Sequence, residues 1–575
     1  VKALMTTNLV KTILLATLCG TTACSTTTTP ASGGLKLQVR APQTADDNPF
    51  ALPEAAFVVL AAEGSAQFVV KPYKPGLALN LTDLPFGPGK QVRVEVHTAD
   101  ANGQPTNVVI GRGISAPADI VAGGAPLTRT AYVTRTNRFA PPLTDADPVN
   151  PSTAQAVGAG QCAVTLPSGP VLFFGGAAAK AGAKNPYDPK SYDTFSNAAW
   201  GYDPDSRASV ALGGTLTQAR GFHSCAVGQS VVAIVGGYVL DPDSKLPVPS
   251  KTIEFFDMAA KPGDAQFRQT QDCGQGCTTG LMFARAGASV VRMFDDDNYF
   301  LILGGQGDTK CVEGQPCAAN TWEVWHPLRG NLAQGLLNKP RWNHATARIP
   351  TSPSAGYVLL VGGENDQGPL ADFEVLQFNL GQVSSANSPC PAAGKAVCSG
   401  LDDALWTPLT VAMPVARVLP GAVYLAGKNF FYVVIAGGFT DSAKTKADNT
   451  IDIFDINPKS GGGYKNDPGT LQMTMARGAP MISVVTAGSR AGQVLIAGGT
   501  TSAAKNDPPV DAEFLYFQDG TVNQGIIHPV ENGLSDGART LGNAVALPTG
   551  HVLIGGGVDP VSLAPRSALL LWNPY

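Results

Sequence analysis

Six arginines stand at matching places along the chain, each opening a short apolar run: Arg220, Arg285, Arg341, Arg417, Arg477 and Arg539. A guanidinium makes paired hydrogen bonds to planar oxyanions. Gathered at one place in a chain of net charge −4, six of them would hold a carboxylate, a sulfate or an acidic peptide. The plainer alternative is that each ties its own repeat to neighbouring loop carbonyls. We give the structural reading the greater weight and keep the six as the candidate ligand site.

The cysteines offer a second chemistry. Beyond the first residues eight remain, and six fall into close pairs, Cys273/Cys277, Cys311/Cys317 and Cys390/Cys398. Such spacing suits small loop-closing disulfides. Zinc competes, because Cys-x₃-Cys lies within metal-ligand spacing, but these pairs sit in Gly/Pro/Gln loops, CGQGC and CVEGQPC, without the basic and aromatic residues usual at zinc knuckles. Cys162 and Cys225 occupy equivalent strands of adjacent repeats, so either a disulfide between repeats or two buried thiols is expected. His223 and His344 read as strand residues with local bonds, since no third metal ligand accompanies them. Asp295-Asp296-Asp297-Asn298 lacks the glycine and distal glutamate of a calcium loop and reads as a solvated hairpin tip. There is no Gly-x-Ser-x-Gly, no His-Glu-x-x-His and no phosphate-binding Gly-x₄-Gly-Lys-Ser/Thr. No catalytic residue, metal or cofactor is therefore assigned.

What positions these residues is a repeat. Charged residues make up only 15% of the chain, against about 25% in ordinary domains, while glycine is abundant at 65 residues. Seven short apolar runs end in Gly-Gly, at Gly176, Gly237, Gly305, Gly363, Gly438, Gly499 and Gly557. Runs of β-prone residues stopped by glycine read as buried strands. A strand opened by Arg precedes most of them, as in ARGFHSCAV, and an aromatic strand follows, as in TIEFFDM and TWEVWHP. With room for one more strand, each repeat is a four-stranded antiparallel sheet that cannot bury both faces alone, so the repeats must stack, radially for sheets of this size.

These residues resemble the kelch family: Arg, sometimes with His three residues on as in Arg220/His223 and Arg341/His344, a strand into Gly-Gly, then an aromatic before Asp-Pro-like residues, as in Tyr202-Asp203-Pro204, Trp325-His326-Pro327 and Trp572-Asn573-Pro574. The WD40 signatures do not recur. The resemblance implies an all-β chain whose residues 129–575 form a seven-bladed kelch-like β-propeller, with the six arginines crowded at one channel mouth. The first repeat departs from the pattern, having no Arg before Cys162. The last ends at its third strand, and Thr130–Leu143 is expected to supply the fourth, closing the ring from both ends of the chain. Some propellers of this kind are enzymes, galactose oxidase-like copper proteins and a sialic-acid mutarotase group among them. No copper-ligand set can be matched here.

Residues 35–128 lack the repeat and alternate in short runs such as KQVRVEVHT, expected to form a small immunoglobulin-like β-sandwich. Before it, Lys2 and Lys11 precede an apolar run Ile13–Leu18, too short to cross a bilayer. Thr21-Thr22-Ala23-Cys24-Ser25 resembles a bacterial lipoprotein signal, departing from it at Thr21, where an aliphatic residue is usual. The expected organisation is a signal peptide over 1–23, a lipidated Cys24 and tether over 24–34, and an outer-membrane lipoprotein of the bacterial envelope, with ordinary secretion as the alternative. No stretch concentrates Lys and Arg, so nucleic acid is not an expected partner. The leading functional reading is a non-catalytic binding protein meeting a protein or glycan partner; the alternative is a carbohydrate-active enzyme, galactose oxidase-like or mutarotase-like, working at the channel mouth.

Overall fold

The computed structural model describes residues 35–42, 44–63, 68–73, 87–121, 127–142, 158–260, 266–269, 280–308, 310–312, 315–379, 406–427, 430–455, 463–465, 470–502, 511–517 and 525–575. Among them the chain is all-β, broken only by two single 3₁₀ turns, Pro49–Ala51 and Pro189–Ser191.

Each Gly-Gly run is the second strand of a four-stranded antiparallel sheet. In sheet 1 the order is Cys162–Thr165, Val171–Phe174, Ala199–Asp203, Ala208–Ala211. The next five sheets follow the same order, their first strands being Ser224–Val227, Ser289–Arg292, Ala345–Ser352, Gly421–Gly427 and Met481–Val484. Every residue of Val171–Phe174, Val231–Val235 and Phe300–Leu303 is buried. A continuous apolar run of this kind forms where a sheet is covered on both faces.

The coverage comes from the neighbouring sheets. Leu172 and Phe174 pack with Val232, Ile234 and Phe256 of sheet 2, while Val171 and Phe173 pack the other way, with Leu553 and Leu571 of sheet 7. Similar apolar cores lie between each remaining pair of consecutive sheets. The first strand of each sheet lies against the first strand of the next, and the circuit returns from Thr540–Ala546 in sheet 7 to Cys162–Thr165 in sheet 1.

Sheet 7 draws its outer strand from far upstream: the order is Arg138–Ala140, Leu570–Asn573, Val552–Val558, Thr540–Ala546. Part of the segment expected to complete this sheet does so. The rest serves the leading domain, where Leu127–Tyr132 pairs in parallel with Leu35–Arg40 and Thr134–Arg135 pairs with Pro105–Ile114. A boundary at 128/129 thus falls inside a strand, and the leading domain's pairing runs on to Arg135.

That domain has a five-stranded antiparallel sheet in the order Phe68–Pro72, Phe57–Ala62, Val92–Ala99, Pro105–Ile114, Thr134–Arg135. Val92–Ala99 alternates as its period requires, with Val92, Val94 and Val96 in the core beside Val58 and Leu60. The junction to the sheets is direct. Asn573 is fully buried and donates from Nδ2 to the carbonyls of Arg112 and Thr134, at 2.9 and 3.0 Å. The guanidinium of Arg112 lies 3.5 Å above the centre of the Tyr575 ring.

Candidate functional site

All six arginines are fully buried. Arg220 precedes the first strand of sheet 2, and its Nη2 reaches Glu254 Oε1, on the third strand of the same sheet, at 2.5 Å. Arg285–Glu323, Arg341–Glu374, Arg417–Asp452 and Arg477–Glu513 repeat the pair at 2.6, 2.6, 2.5 and 3.1 Å. A second donor of the guanidinium bonds the carbonyl of the first glycine of its own sheet, Arg285 to Gly304 at 2.7 Å and Arg341 to Gly362 at 2.8 Å, for example, except that Arg417 Nη1 reaches Thr450 O at 3.5 Å. The four glutamates also accept from the backbone three residues before the arginine: Thr217 N–H donates to Glu254 at 2.7 Å and Asn338 N–H to Glu374 at 2.9 Å, for example, whereas Pro414, with no N–H, holds that place before Arg417. Burial pulls the Arg220 and Arg285 guanidiniums below their ordinary pKa, with the facing glutamates opposing that drop.

The backbone of the arginine does separate work, between sheets. The N–H of each second glycine donates to the arginine carbonyl of the next sheet: Gly176 to Arg220, Gly237 to Arg285, Gly305 to Arg341, Gly363 to Arg417, Gly438 to Arg477 and Gly499 to Arg539, at 2.8 to 3.0 Å. The seventh bond runs from Gly557 to Gly158 at 3.0 Å, so Gly158 is the first repeat's counterpart of the arginine. Across the seven pairs the first glycine has φ between +55° and +66° and the second between +84° and +117°. Only glycine enters such backbone freely, and a Cβ on Gly236 or Gly304 would meet the carbonyl of Arg285 or Arg341.

Two repeats solve the latch differently. In sheet 1 both charges are gone: Trp200 stands where Glu254 stands in sheet 2, and Gln161 Nε2 donates to Gly175 O at 3.3 Å in place of a guanidinium. In sheet 7 the register position is Leu570, and Arg539 pairs instead with Asp536 three residues before it. The arginines are therefore latches within and between sheets. The expectation of a guanidinium ring open to a ligand gives way, because every side chain is enclosed and its Nη donors meet protein acceptors.

No protein-family model matches this chain, and no curated protein matches it in sequence.

Above the latches, on the glycine side, residues 180–191 of sheet 1 cross to sheets 5, 6 and 7. The Tyr187 hydroxyl bonds Thr500 Oγ1 at 2.7 Å and Thr540 Oγ1 at 2.9 Å. Its ring meets Phe439 edge-on at 5.0 Å. Burial of the hydroxyl pushes its pKa up to about 12. The loop is braced from within: Asn185 Oδ1 accepts from Tyr187 N–H, and the Tyr192 hydroxyl donates to Pro186 O at 2.8 Å. Beside it, Phe222 lies edge-on between Tyr192 and Tyr238, and Lys444 Nζ meets Glu364 at 3.0 Å. A tyrosine that no motif marked thus ties the head of the first strand of sheet 7 to the glycine-side loops of sheets 5 and 6.

The remaining candidates are placed as follows. Cys162 and Cys225 form a disulfide between the first strands of sheets 1 and 2, and Cys311 and Cys317 staple a loop of sheet 3. Cys24, Cys273, Cys277, Cys390 and Cys398 lie outside the described residues. His223 and His344 are enclosed against the glycine pairs, and burial depresses both to a pKa of about 3. Asp295 takes Arg348 at 2.8 Å and Asp297 faces His326 at 3.3 Å. Among the described residues no three His, Cys, Asp or Glu side chains converge as a metal site, and no helix is long and apolar enough to cross a membrane. The two disulfides point to an oxidising, extracellular or periplasmic environment.

Proposed function

We propose that this chain is an exported, lipid-anchored kelch-repeat binding protein. In this reading the seven sheets are the blades of a β-propeller, the leading domain is an immunoglobulin-like sandwich between anchor and propeller, and loops of the propeller meet a protein or glycan partner. The observation that carries it is the hydrogen bond from each second glycine to the head of the next sheet, repeated seven times with Gly557 to Gly158 as its return. A rigid scaffold of this kind holds loops at fixed places, where binding residues concentrate. The seating of Tyr187 favours the loops over the channel as the place of contact.

The test is photo-crosslinking in bacterial envelopes from Leu246 and Val312, two exposed residues on glycine-side loops, with a Cys24→Ser chain in parallel. One saturable adduct, and loss of membrane retention in the Cys24→Ser chain, is the expected result. Turnover of a sugar or an alcohol by the purified chain would instead establish the carbohydrate-active enzyme.

A further inference from the structure

A cleft of about 730 Å³ opens between sheets 2 and 3, away from the glycine side. That is within the range of pockets that enclose small ligands, roughly 300 to 1,000 Å³. Its floor is apolar, made by Val231 and Phe255. One lip is the fourth strand of sheet 2, where Arg268 Nη2 meets Asp257 Oδ2 at 2.8 Å. The other is the Pro327-Leu328 turn of sheet 3, where Leu328 is 75% exposed. A cross-link holds the lips apart at a fixed spacing: Asn298 of sheet 3 donates to Ser230 Oγ of sheet 2 at 2.9 Å and accepts from the Ser230 N–H at 3.0 Å.

The chemistry of the lips is specific. Arg268 and Asp257 neutralise each other, so the cleft selects neither an anion nor a cation. The Arg268 side chain is still 61% exposed, and one partnered nitrogen leaves a guanidinium with donors to spare. The Asp257 oxygens, one facing Arg268 and the other accepting from Ala259 N–H at 2.9 Å, each keep acceptor capacity. Two adjacent hydroxyls fit this edge, one accepting from the guanidinium while the other donates to the carboxylate. Opposite that edge, a half-buried proline and an exposed leucine offer an apolar platform for a ring face. Charge-assisted bonds on one side and an apolar plate on the other match one ligand class.

We propose that this cleft binds a neutral saccharide, its vicinal hydroxyls on the Arg268–Asp257 pair and a ring face on Pro327 and Leu328. The assignment rests on the binding-protein reading and gives it a glycan site of its own, on the side away from the glycine-side loops. It is tested on the full chain with cellobiose, maltose and N,N′-diacetylchitobiose by saturation-transfer NMR and calorimetry, against Arg268→Ala and Leu328→Ser. Both substitutions replace exposed side chains and leave the intersheet cores intact. The expected result is binding of at least one probe, weakened about tenfold or more by Arg268→Ala and measurably by Leu328→Ser, with Leu246→Ser on the glycine side unchanged. Binding indifferent to both cleft substitutions overturns the assignment while leaving a glycan-binding protein standing. Absence of binding by all three probes up to about 10 mM overturns it also, and the crosslinking from the glycine-side loops then judges the wider reading independently.

Discussion

Arg341 Nη2 stands 2.6 Å from Glu374 Oε1 with both side chains fully buried. The pair joins the head of one strand to the third strand of the same sheet, and Glu374 also holds the backbone N–H groups of Asn338 and Lys339. Removing one partner of a buried pair costs about 3 to 5 kcal/mol when the other charge is left uncompensated, but Asp372 Oδ2 also stands 2.7 Å from Arg341 Nη2. Glu374→Ala should therefore lower unfolding free energy by less than that in urea titrations, about 1 to 3 kcal/mol. The double change Arg341→Met with Glu374→Leu should recover only part of the loss, because the two loop N–H groups lose the Glu374 carboxylate as acceptor. A double variant no better than Glu374→Ala would show that the loop contacts, and not the buried charge, dominate.

Acid should destabilise this fold early. Burial holds His223 and His344 at about 3 and His551 at about 4, against an ordinary value of 6.5. The folded-state values are the lower ones, so below pH 6.5 the unfolded chain takes up protons that the folded chain refuses. Stability is then full above 6.5 and falls as pH drops toward 4, by up to about 1.4 kcal/mol per pH unit for each histidine. Urea midpoints measured from pH 7.5 to 5 should decline, and His344→Gln should make the decline shallower. A midpoint that held steady over that range would overturn the buried, uncharged state assigned to the three histidines.

The contrast between the two kinds of residue shows what the amino-acid pattern carries. The seven glycine pairs, the strands around them and the upstream origin of the outer strand at Arg138–Ala140 were legible, because apolar runs and glycine stops are local signals. A structural tie from each arginine to neighbouring carbonyls was the favoured reading, but the carboxylate partners were not legible. Glu254 lies 34 residues beyond Arg220, inside a strand that reads as aromatic, and only the register Ile234 with Glu254 brings the charges together. Gly158 hid the first repeat's latch because the bond uses its carbonyl, which any residue possesses. Tyr187 sits in an irregular loop with no periodicity to mark it.

The Cys162–Cys225 bridge closes a sequence separation of 63 residues, one whole repeat. In the chain-entropy model a loop of that length is worth about 4 kcal/mol. Cys162→Ala with Cys225→Ala should lower the unfolding midpoint accordingly, and wild-type chain should match the variant when both are under reductant, which also opens Cys311–Cys317. Equal stability of the oxidised chain and the double variant would mean that the packing of sheets 1 and 2 makes the tie redundant.

Tyr187 should behave as a bolt across the sheets. Its hydroxyl serves Thr500 and Thr540, which are buried, so Tyr187→Phe leaves two hydroxyls without that partner at a cost of about 1 to 2 kcal/mol. The phenyl ring would keep the edge contact with Phe439, and residues 180–191 should stay seated. Tyr187→Ala removes the ring as well and should release the loop, giving protease cleavage within 180–191 at enzyme levels that leave wild type and Tyr187→Phe intact. The two substitutions separate a hydrogen-bonding role from a plug. If the loop is a plug, only the alanine variant opens the inner ends of the first strands, and cleavage should precede any loss of β-structure measured by circular dichroism. Cleavage of both variants alike would place the hold in the two hydroxyl bonds alone, whereas resistance of both would mean that the Tyr192 to Pro186 brace is enough to keep the loop in place.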